Sequence, residues 1–201
     1  MAFINLKTRE IQLKIVYYGP GRGGKTTNLQ YICKNYHNKL KSKILTINTY
    51  GDRTLFFDFM PFKLGKIKGF DTTVQLYTVP GQIRYNQTRK LVLTGVDGIV
   101  FVADLLSSQR YRNVMSLKNL YENLEKYNKN IFKIPLVFQY NKVDLAKNGI
   151  RILSPKLLEK DLNSKLKKPA FTASALTGEN VAETLKTIIS LTANTLKQNR
   201  N

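Results

Sequence analysis

The sequence has one cysteine, one histidine and no tryptophan, so it holds few of the side chains used in disulfide, metal or triad chemistry. Because Cys33 is alone, an intramolecular disulfide bond is excluded, and the single His37 supports neither a histidine metal cluster nor a histidine-centred triad. Long hydrophobic runs are also missing, since no stretch approaches the ~20 apolar residues that span a bilayer. With no signal-peptide or lipidation pattern, the sequence predicts a cytoplasmic protein.

Acidic residues are scarce. The chain has 13 Asp and Glu against 33 Lys and Arg, which gives a formal net charge of +20 at pH 7. A charge of this size can indicate an anionic partner. The lysines, however, are scattered along the chain without a dense block, which is also typical of ordinary solvated surface residues. No mixture of aromatic and basic residues typical of RNA binding is present, so no nucleic-acid partner is expected. Scattered lysines and a weak association with anionic membranes remain the two interpretations.

Apolar runs rich in β-forming residues alternate with amphipathic stretches along the chain. Two of these runs, "GIVFVAD" and "IPLVFQYN", are almost continuously apolar, as in parallel strands covered on both faces. The runs "LFFDFMP" and "TTVQLYTVP" predict two more strands, joined by "FKLGKIKGFD" as a hairpin connection. The alternation predicts one α/β domain over residues 1–201, with helices on both faces of a mostly parallel sheet that includes one antiparallel hairpin.

Two helices are predicted from apolar residues at spacings of three and four, which place them on one face. In the helix between the two apolar runs, this predicted core face consists of Val114, Leu117, Leu120, Tyr121, Leu124 and Tyr127. In the C-terminal helix it consists of Val181, Leu185, Ile188, Ile189 and Leu196. Before that helix, Ser154 and Pro155 are placed as the N-cap and first residue of a further helix.

A glycine-rich segment, "YYGPGRGGKTTNL", lies between a strand predicted over residues 13–19 and a helix predicted over residues 25–35. Its spacing fits the phosphate-loop pattern G-x-x-x-x-G-K-[ST], in which backbone N–H groups and the helix N-terminus approach the phosphates. The Lys25 ammonium would reach the β- and γ-phosphates, and the Thr26 hydroxyl would bind Mg²⁺. The predicted phosphate-binding residues are Gly19, Gly21, Arg22, Gly23, Gly24, Lys25, Thr26 and Thr27.

A second motif, "YNKVDL", follows the apolar run "IPLVFQY" and selects guanine among the bases. The Asp144 carboxylate can accept hydrogen bonds from both N1–H and N2–H₂ of guanine, a donor pair that adenine does not present. Lys142 would cover the base with its stem, and Asn141 would tie this loop to the phosphate loop. The later segment "TASAL" adds Ser174, Ala175 and Leu176, with the N–H near Ala175 facing the guanine O6.

With these motifs the chain resembles the Ras-like small GTPases over nearly its whole length. More narrowly it resembles the MglA family, bacterial and archaeal small GTPases of cell polarity and gliding motility, through "GPGRGGKTTNL", "DRTLFFDFMP" and "YTVPGQ". Most Ras-like proteins have an aspartate four residues before the glutamine of the last motif, where it holds Mg²⁺ through water. Here that position is Thr78, a departure that MglA proteins share.

The resemblance implies the remaining site residues. Gln82 would orient the attacking water, and the Gly81 N–H would contact the γ-phosphate, so that this segment is switch II. Thr54 would complete the Mg²⁺ shell from switch I, and Arg53 would be an arginine finger supplied by the protein itself. Because Thr78 brings no charge, Asp58 either faces the metal and replaces part of the lost negative field, or alternates outward into solvent.

The resemblance also implies partners. An MglB-like dimer of the Roadblock fold would set the switches and accelerate a slow intrinsic GTP hydrolysis, and the effectors would be motility, cytoskeletal or polarity proteins. The protein alone would be a monomer, located in the cytoplasm, at the cell poles or at the inner membrane surface. Two other functions are weighed: a metabolic kinase, against which the guanine motif argues, and a nucleotide-holding scaffold with negligible hydrolysis, against which Gln82 and Arg53 argue.

Overall fold

A central β-sheet organises the computed structural model, which describes residues 3–36, 38, 44–47, 57–67 and 69–198. Within these residues the sheet has eight strands. They are β1 (Phe3–Asn5), β2 (Glu10–Tyr18), β3 (Leu45–Ile47), β4 (Phe57–Ile67), β5 (Phe70–Thr78), β6 (Gly98–Asp104), β7 (Leu136–Asn141) and β8 (Ala170–Ala173). The order across the sheet is β3-β4-β5-β2-β6-β7-β8, and β1 pairs with the beginning of β2.

Strands β5, β2, β6, β7 and β8 run parallel to one another. β4 pairs antiparallel with β5 on one side and with β3 on the other. The predicted mostly parallel sheet with an antiparallel hairpin is therefore confirmed. The structure adds an antiparallel β1, which pairs with residues 10–12 of β2, where β6 does not reach because its pairing starts at Ile15. Strand β1 was not predicted from the sequence.

Helices cover both faces of the sheet. They are α1 (Lys25–Asn35), α2 (Asn86–Val92), α3 (Arg110–Glu125), α4 (Asp144–Lys147), α5 (Pro155–Leu158), which continues into a π-helical turn over Glu159–Asn163, and α6 (Val181–Gln198). Buried side chains of α1 and α6 pack on one face, and those of α2, α3 and α5 pack on the other. No helix among the described residues is both long enough and apolar enough to cross a membrane.

The hairpin of β4 and β5 is longer than the sequence predicts. Both strands continue through the segment expected to be a connection, and the turn is reduced to the neighbourhood of Gly69. A register shift between Lys63 and Gly65 inserts a bulge, and Gly65 has a φ of 101°, which a glycine adopts without strain. On the outer edge of β4, β3 pairs with residues 57–59.

The inner face of α3 differs from the predicted apolar face. Val114 and Tyr121 are 40% and 42% exposed, while Leu120 and Leu124 are buried as predicted. Leu117 and Tyr127 are partly buried against the same core. The other buried residues of the helix are polar: Asn113, Ser116, Asn119 and Asn123. These side chains hydrogen bond to one another and to β2, α2 and β6, and hydrogen bonding makes burial of polar groups tolerable.

The C-terminal helices follow the prediction more closely. Pro155 is the first residue of α5, but the Ser154 side chain makes no capping hydrogen bond. In α6 the predicted core face is buried at Val181, Leu185, Ile188 and Ile189, and the side chain of Leu196 lies outside the described part of the chain.

Candidate functional site

A cleft of about 640 Å³ opens where the parallel strands end. Ligands of open α/β sheets bind at this carboxyl edge, because the loops that leave the strands converge there. The cleft is lined by Arg22, Gly24, Lys25, Thr26, Thr27, Asp58, Thr78, Val79, Pro80, Gly81, Asn141, Lys142, Asp144, Leu145, Ala175 and Leu176. The structure thus gathers the predicted phosphate and base motifs, more than 100 residues apart in sequence, around one cavity of the size that small molecules occupy.

Two glycines of the phosphate loop stand where a side chain would be strained and would collide with a neighbour. Gly19 has a φ of 146°, and a Cβ there would lie 2.2 Å from the Val102 backbone oxygen. Gly24 has a φ of 98°, and its Cβ would lie 2.1 Å from Asn141 Nδ2. Helix α1 begins at the next residue, so its N-terminal N–H groups and its positive dipole end belong to the wall of the cleft.

Lys25 is buried at the floor of this loop. Its Nζ donates to the backbone oxygens of Pro20 at 2.6 Å and Gly19 at 3.3 Å. Burial and the nearby positive charge of Arg89 together lower the pKa of Lys25 to about 7, although the Asp58 carboxylate opposes this shift. A cation held in this way, against an open cleft, is suited to an anion such as a phosphate.

Asp58 faces the cleft, so the alternative in which it points into solvent is wrong. The residue is 6% exposed, and its Oδ2 accepts hydrogen bonds from Thr26 Oγ1 at 2.6 Å and from Thr78 Oγ1 at 2.9 Å. Thr78 Oγ1 in turn accepts from the Asp58 N–H at 2.9 Å. One carboxylate and two hydroxyls therefore meet beside the phosphate loop, and oxygen atoms of this kind are the ligands of Mg²⁺.

This oxygen cluster is not a complete metal site by itself. No group of three His, Cys, Asp or Glu side chains that could hold a metal occurs within the described ranges. Mg²⁺ commonly binds through one or two carboxylates together with water and the phosphates of a substrate. The donors at Thr26, Asp58 and Thr78 fit that pattern, in which the remaining ligands come from a bound phosphate chain.

Asn141 connects three loops at the other end of the cleft. Its Nδ2 donates to the Gly23 oxygen at 2.8 Å, and its Oδ1 accepts from the Ala175 N–H at 2.8 Å. This N–H was predicted to face a guanine oxygen, but here it is directed at Asn141, so a base oxygen would have to share it. Ser174 does not line the cleft, since its Oγ accepts from the Thr177 N–H at 3.1 Å and stabilises the turn.

The two charged residues of the base motif differ in their surroundings. Lys142 has a φ of 76°, and its Nζ lies 2.6 Å from Oδ2 of Asp104, a carboxylate that is 1% exposed. Asp144 begins α4 and lines the cleft, and no residue that the structure describes donates a side-chain hydrogen bond to its carboxylate. Asp144 is therefore placed to accept hydrogen bonds from a ligand, while Lys142 is held at the side of the cleft.

The segment after β5 approaches the phosphate loop closely. A Cβ on Gly81 would lie 2.2 Å from the Cα of Gly21, so this contact requires glycine. Gln82 is exposed and does not line the cleft, and a Cβ on Gly21 would lie 3.7 Å from its Cγ. Gly19, Gly21 and Gly23 shape the loop from behind rather than line the cleft. The predicted switch I residues, Arg53 and Thr54, lie outside the described residues.

Sequence analysis missed Arg89, which is fully buried behind the phosphate loop. Its guanidinium contacts β2, α3, the phosphate loop and the segment after β5. In a chain with 33 basic residues, nothing in the sequence distinguishes this arginine from a surface one.

Comparison with known proteins gives a consistent result. The model of the Ras family matches residues 14–194, a range that includes every residue lining the cleft. The chain is 48% identical over 198 residues to the mutual gliding-motility protein MglA of Myxococcus xanthus (strain DK1622), which covers 98% of this chain and 99% of that protein. It is 26% identical over 185 residues to the Ras-related protein RABG3f of Arabidopsis thaliana, covering 90% and 82%. It is also 26% identical over 182 residues to the Ras-related protein Rab-27B of Rattus norvegicus, covering 89% and 78%.

Proposed function

Because this chain belongs to the Ras family and, within it, to the MglA group, we propose that its cleft binds GTP and GDP with Mg²⁺ and hydrolyses GTP, so that the protein is a molecular switch. The observation that carries the proposal is the position of Asn141. Its hydrogen bonds to Gly23 and Ala175 tie the base motif, which contains Asp144, to the phosphate loop that precedes Lys25, and both of these residues line the cleft. A phosphate-binding lysine and a guanine-reading carboxylate then act on one nucleotide.

At the phosphate end, the loop of residues 19–24 and the N-terminus of α1 supply backbone N–H donors. Lys25 is the cation that neutralises the β- and γ-phosphates, and it exchanges its two backbone acceptors for phosphate oxygens. Lys25 is also the first of three residues assigned to catalysis, because charge builds up on these oxygens during cleavage. At the base end, Asp144 accepts from guanine, with Lys142, Ala175 and Leu176 around it.

Thr26 and Thr54 are the proposed protein ligands of Mg²⁺, and when bound the ion would neutralise charge on the β- and γ-phosphate oxygens. Asp58 supports this site by accepting hydrogen bonds from the hydroxyl groups of Thr26 and Thr78. In this role it replaces the negative charge that Thr78 lacks.

We expect Asp58→Asn to weaken Mg²⁺-dependent nucleotide binding by about 10- to 100-fold, the effect typical of losing a residue that supports metal ligands. The measurement is the affinity for GDP titrated at increasing Mg²⁺ and again with a chelator. Asp71→Asn is the matched control, because Asp71 is exposed at the far end of the hairpin. Nucleotide affinity that responds equally to Mg²⁺ in all three proteins would remove Asp58 from the metal site.

For hydrolysis we assign two further residues. Gln82 orients the attacking water, and Arg53 is an arginine finger that stabilises the charge of the transition state, an effect worth roughly 10³–10⁵ in rate. Gln82 is exposed beside Gly21, in a position that can turn toward the cleft.

Gly21→Val is expected to reduce single-turnover GTP hydrolysis by about 100-fold while nucleotide binding is retained. A Cβ at this position fits in ordinary contact at 3.7 Å from Gln82 Cγ, but the two γ-methyl groups of valine extend further and displace the glutamine. Misplacement of a reacting group by about 1 Å commonly has an effect of this size. Hydrolysis at the wild-type rate in a folded, GTP-loaded Gly21→Val protein would refute the arrangement.

As a switch, the protein binds effectors of motility, cytoskeleton or polarity in its GTP form and releases them in its GDP form. An MglB-like dimer of the Roadblock fold is the proposed activator, and the intrinsic rate without it is slow. The decisive experiment follows phosphate release from GTP and Mg²⁺ with and without this dimer. Slow release that the dimer accelerates supports the switch, no release in either case favours the nucleotide-holding scaffold, and transfer to a small acceptor would identify a kinase.

A further inference from the structure

Arg89 is a buried cation whose hydrogen-bond partners are neutral oxygen atoms. The residue is fully buried, and no ion pair to it occurs in the described part of the chain. Burial of an unpaired charge is costly, and the residue is tolerated because each of its three guanidinium nitrogens donates to at least one oxygen atom. We propose that Arg89 is a positioning residue that orients the peptide groups on either side of Gly81, so that their N–H groups face the terminal phosphate of GTP. This inference rests on the proposed function.

One guanidinium nitrogen of Arg89 contacts three backbone oxygens around the phosphate loop. Arg89 Nη1 donates to the backbone oxygens of Gly81 at 2.9 Å, Pro80 at 3.2 Å and, more weakly, Gly19 at 3.4 Å. The described peptide bonds are trans, and in a trans peptide the C=O and the following N–H point in opposite directions. With the Pro80 and Gly81 carbonyls drawn to Arg89 at the back, the N–H groups of Gly81 and Gln82 point away from it. Pro80 and Gly81 themselves line the cleft.

The peptide groups beside Gly81 need to be held in one orientation. Without a Cβ, Gly81 has access to both signs of φ, so the peptide groups beside it can rotate at little cost. A flipped peptide would turn a carbonyl oxygen toward the phosphates and repel them. Arg89 opposes this flip, because two adjacent carbonyls are drawn to the same positive group.

The guanidinium is itself fixed by the rigid parts of the fold. Nε donates to the Tyr18 hydroxyl at 3.0 Å, Nη2 donates to Ser116 Oγ at 2.9 Å, and the group lies 4.2 Å from the centre of the Tyr18 ring. Arg89 therefore links the segment after β5 to β2 and α3, so that the position of this segment depends on theirs. Lysine has a single point charge on a flexible stem and cannot hold both carbonyls and both anchors at once.

The test compares Arg89→Lys with wild type by calorimetry, using GDP and a non-hydrolysable GTP analogue. The oriented N–H groups matter only to the terminal phosphate, so we expect analogue affinity to fall by about 10- to 100-fold, as for lost hydrogen bonds to a charged group, while GDP affinity is retained. One control should leave the ratio unchanged: Arg110→Lys, at an exposed arginine that pairs with Asp161 and does not line the cleft.

Equal loss of affinity for both nucleotides, or no loss for either, would overturn the inference and leave the proposed function intact. Wild-type protein that binds neither nucleotide would overturn the proposed function itself. Should Arg89→Lys not fold, amide hydrogen exchange of the wild-type protein still tests whether these two N–H groups face the terminal phosphate, as the inference requires. The analogue should protect the Gly81 and Gln82 N–H groups at least tenfold more than GDP does, and equal protection would refute the inference.

Discussion

Asp144→Asn is expected to weaken GTP binding by about 100-fold or more. The carboxylate accepts two hydrogen bonds from guanine in the proposed complex, and hydrogen bonds to a charged group contribute about 1.5–3 kcal/mol each. An asparagine amide can accept only one of them, and its NH₂ group then faces the donor N2–H₂ of the base. Xanthine has an oxygen in place of that NH₂, so xanthosine triphosphate should bind the variant more tightly than GTP does. Competition against a labelled guanine nucleotide measures both affinities.

Asp161→Asn is the control for this experiment, because Asp161 forms an ion pair with Arg110 and does not line the cleft. It should leave the order of GTP over xanthosine triphosphate unchanged. If Asp144→Asn bound GTP as tightly as wild type does, or lost both triphosphates equally, Asp144 would not be the residue that reads the base. ATP bound as tightly as GTP by the wild-type protein would contradict the whole assignment.

Gly24→Ala should abolish measurable nucleotide binding and lower the free energy of unfolding by about 2–4 kcal/mol. Part of this loss is backbone strain, because a φ of 98° is unfavourable for alanine. The larger functional effect comes from the new Cβ, which would lie 2.1 Å from Asn141 Nδ2 and must displace that side chain. Asn141 would then lose its hydrogen bonds to both Gly23 and Ala175. Urea unfolding and calorimetry measure the two effects.

Gly95→Ala is the control that distinguishes backbone strain from the steric collision expected in Gly24→Ala. Gly95 also has a positive φ, 70°, but a Cβ there would meet nothing within 4 Å. We expect this variant to be destabilised by about 1–2 kcal/mol and to bind nucleotide as wild type does. If Gly24→Ala behaved like Gly95→Ala in both measurements, the contact with Asn141 would have no importance for the cleft.

The phosphate loop and the base motif could be predicted from the sequence because both depend on spacing along the chain. The phosphate loop has a fixed spacing of its glycines, Lys25 and Thr26, and the base motif has a fixed spacing of Asn141 and Asp144. When each motif follows a strand, this spacing determines where its residues lie. The sequence also gave grounds to consider Asp58, but alternation along β4 shows only that neighbours face opposite sides. Which side faces the cleft depends on how β4 pairs with β5, and only the structure provides that register.

Arg89 and the inner face of α3 could not be predicted, for a related reason. An apolar residue at helical spacing indicates the core, but a buried asparagine or arginine resembles a surface residue until its hydrogen-bond partners are known. Asn119 and Asn123 are buried because Asn86 and the Tyr18 hydroxyl lie opposite them, on other elements. Val114 and Tyr121, apolar and correctly spaced, lie on the exposed side of the helix instead.

The outer edge of β4 has a consequence for self-association. Within the part of the chain that the structure describes, β3 pairs only with the first three residues of this 11-residue strand, and backbone groups on the edge of a sheet are a template for strands of other molecules. Pro61 interrupts that template because it has no N–H to donate, and the exposed Lys63 and Lys66 place positive charge along the same stretch. A second copy approaching edge to edge would bring like charges together. Pro61, Lys63 and Lys66 therefore oppose edge-to-edge pairing along this part of the hairpin.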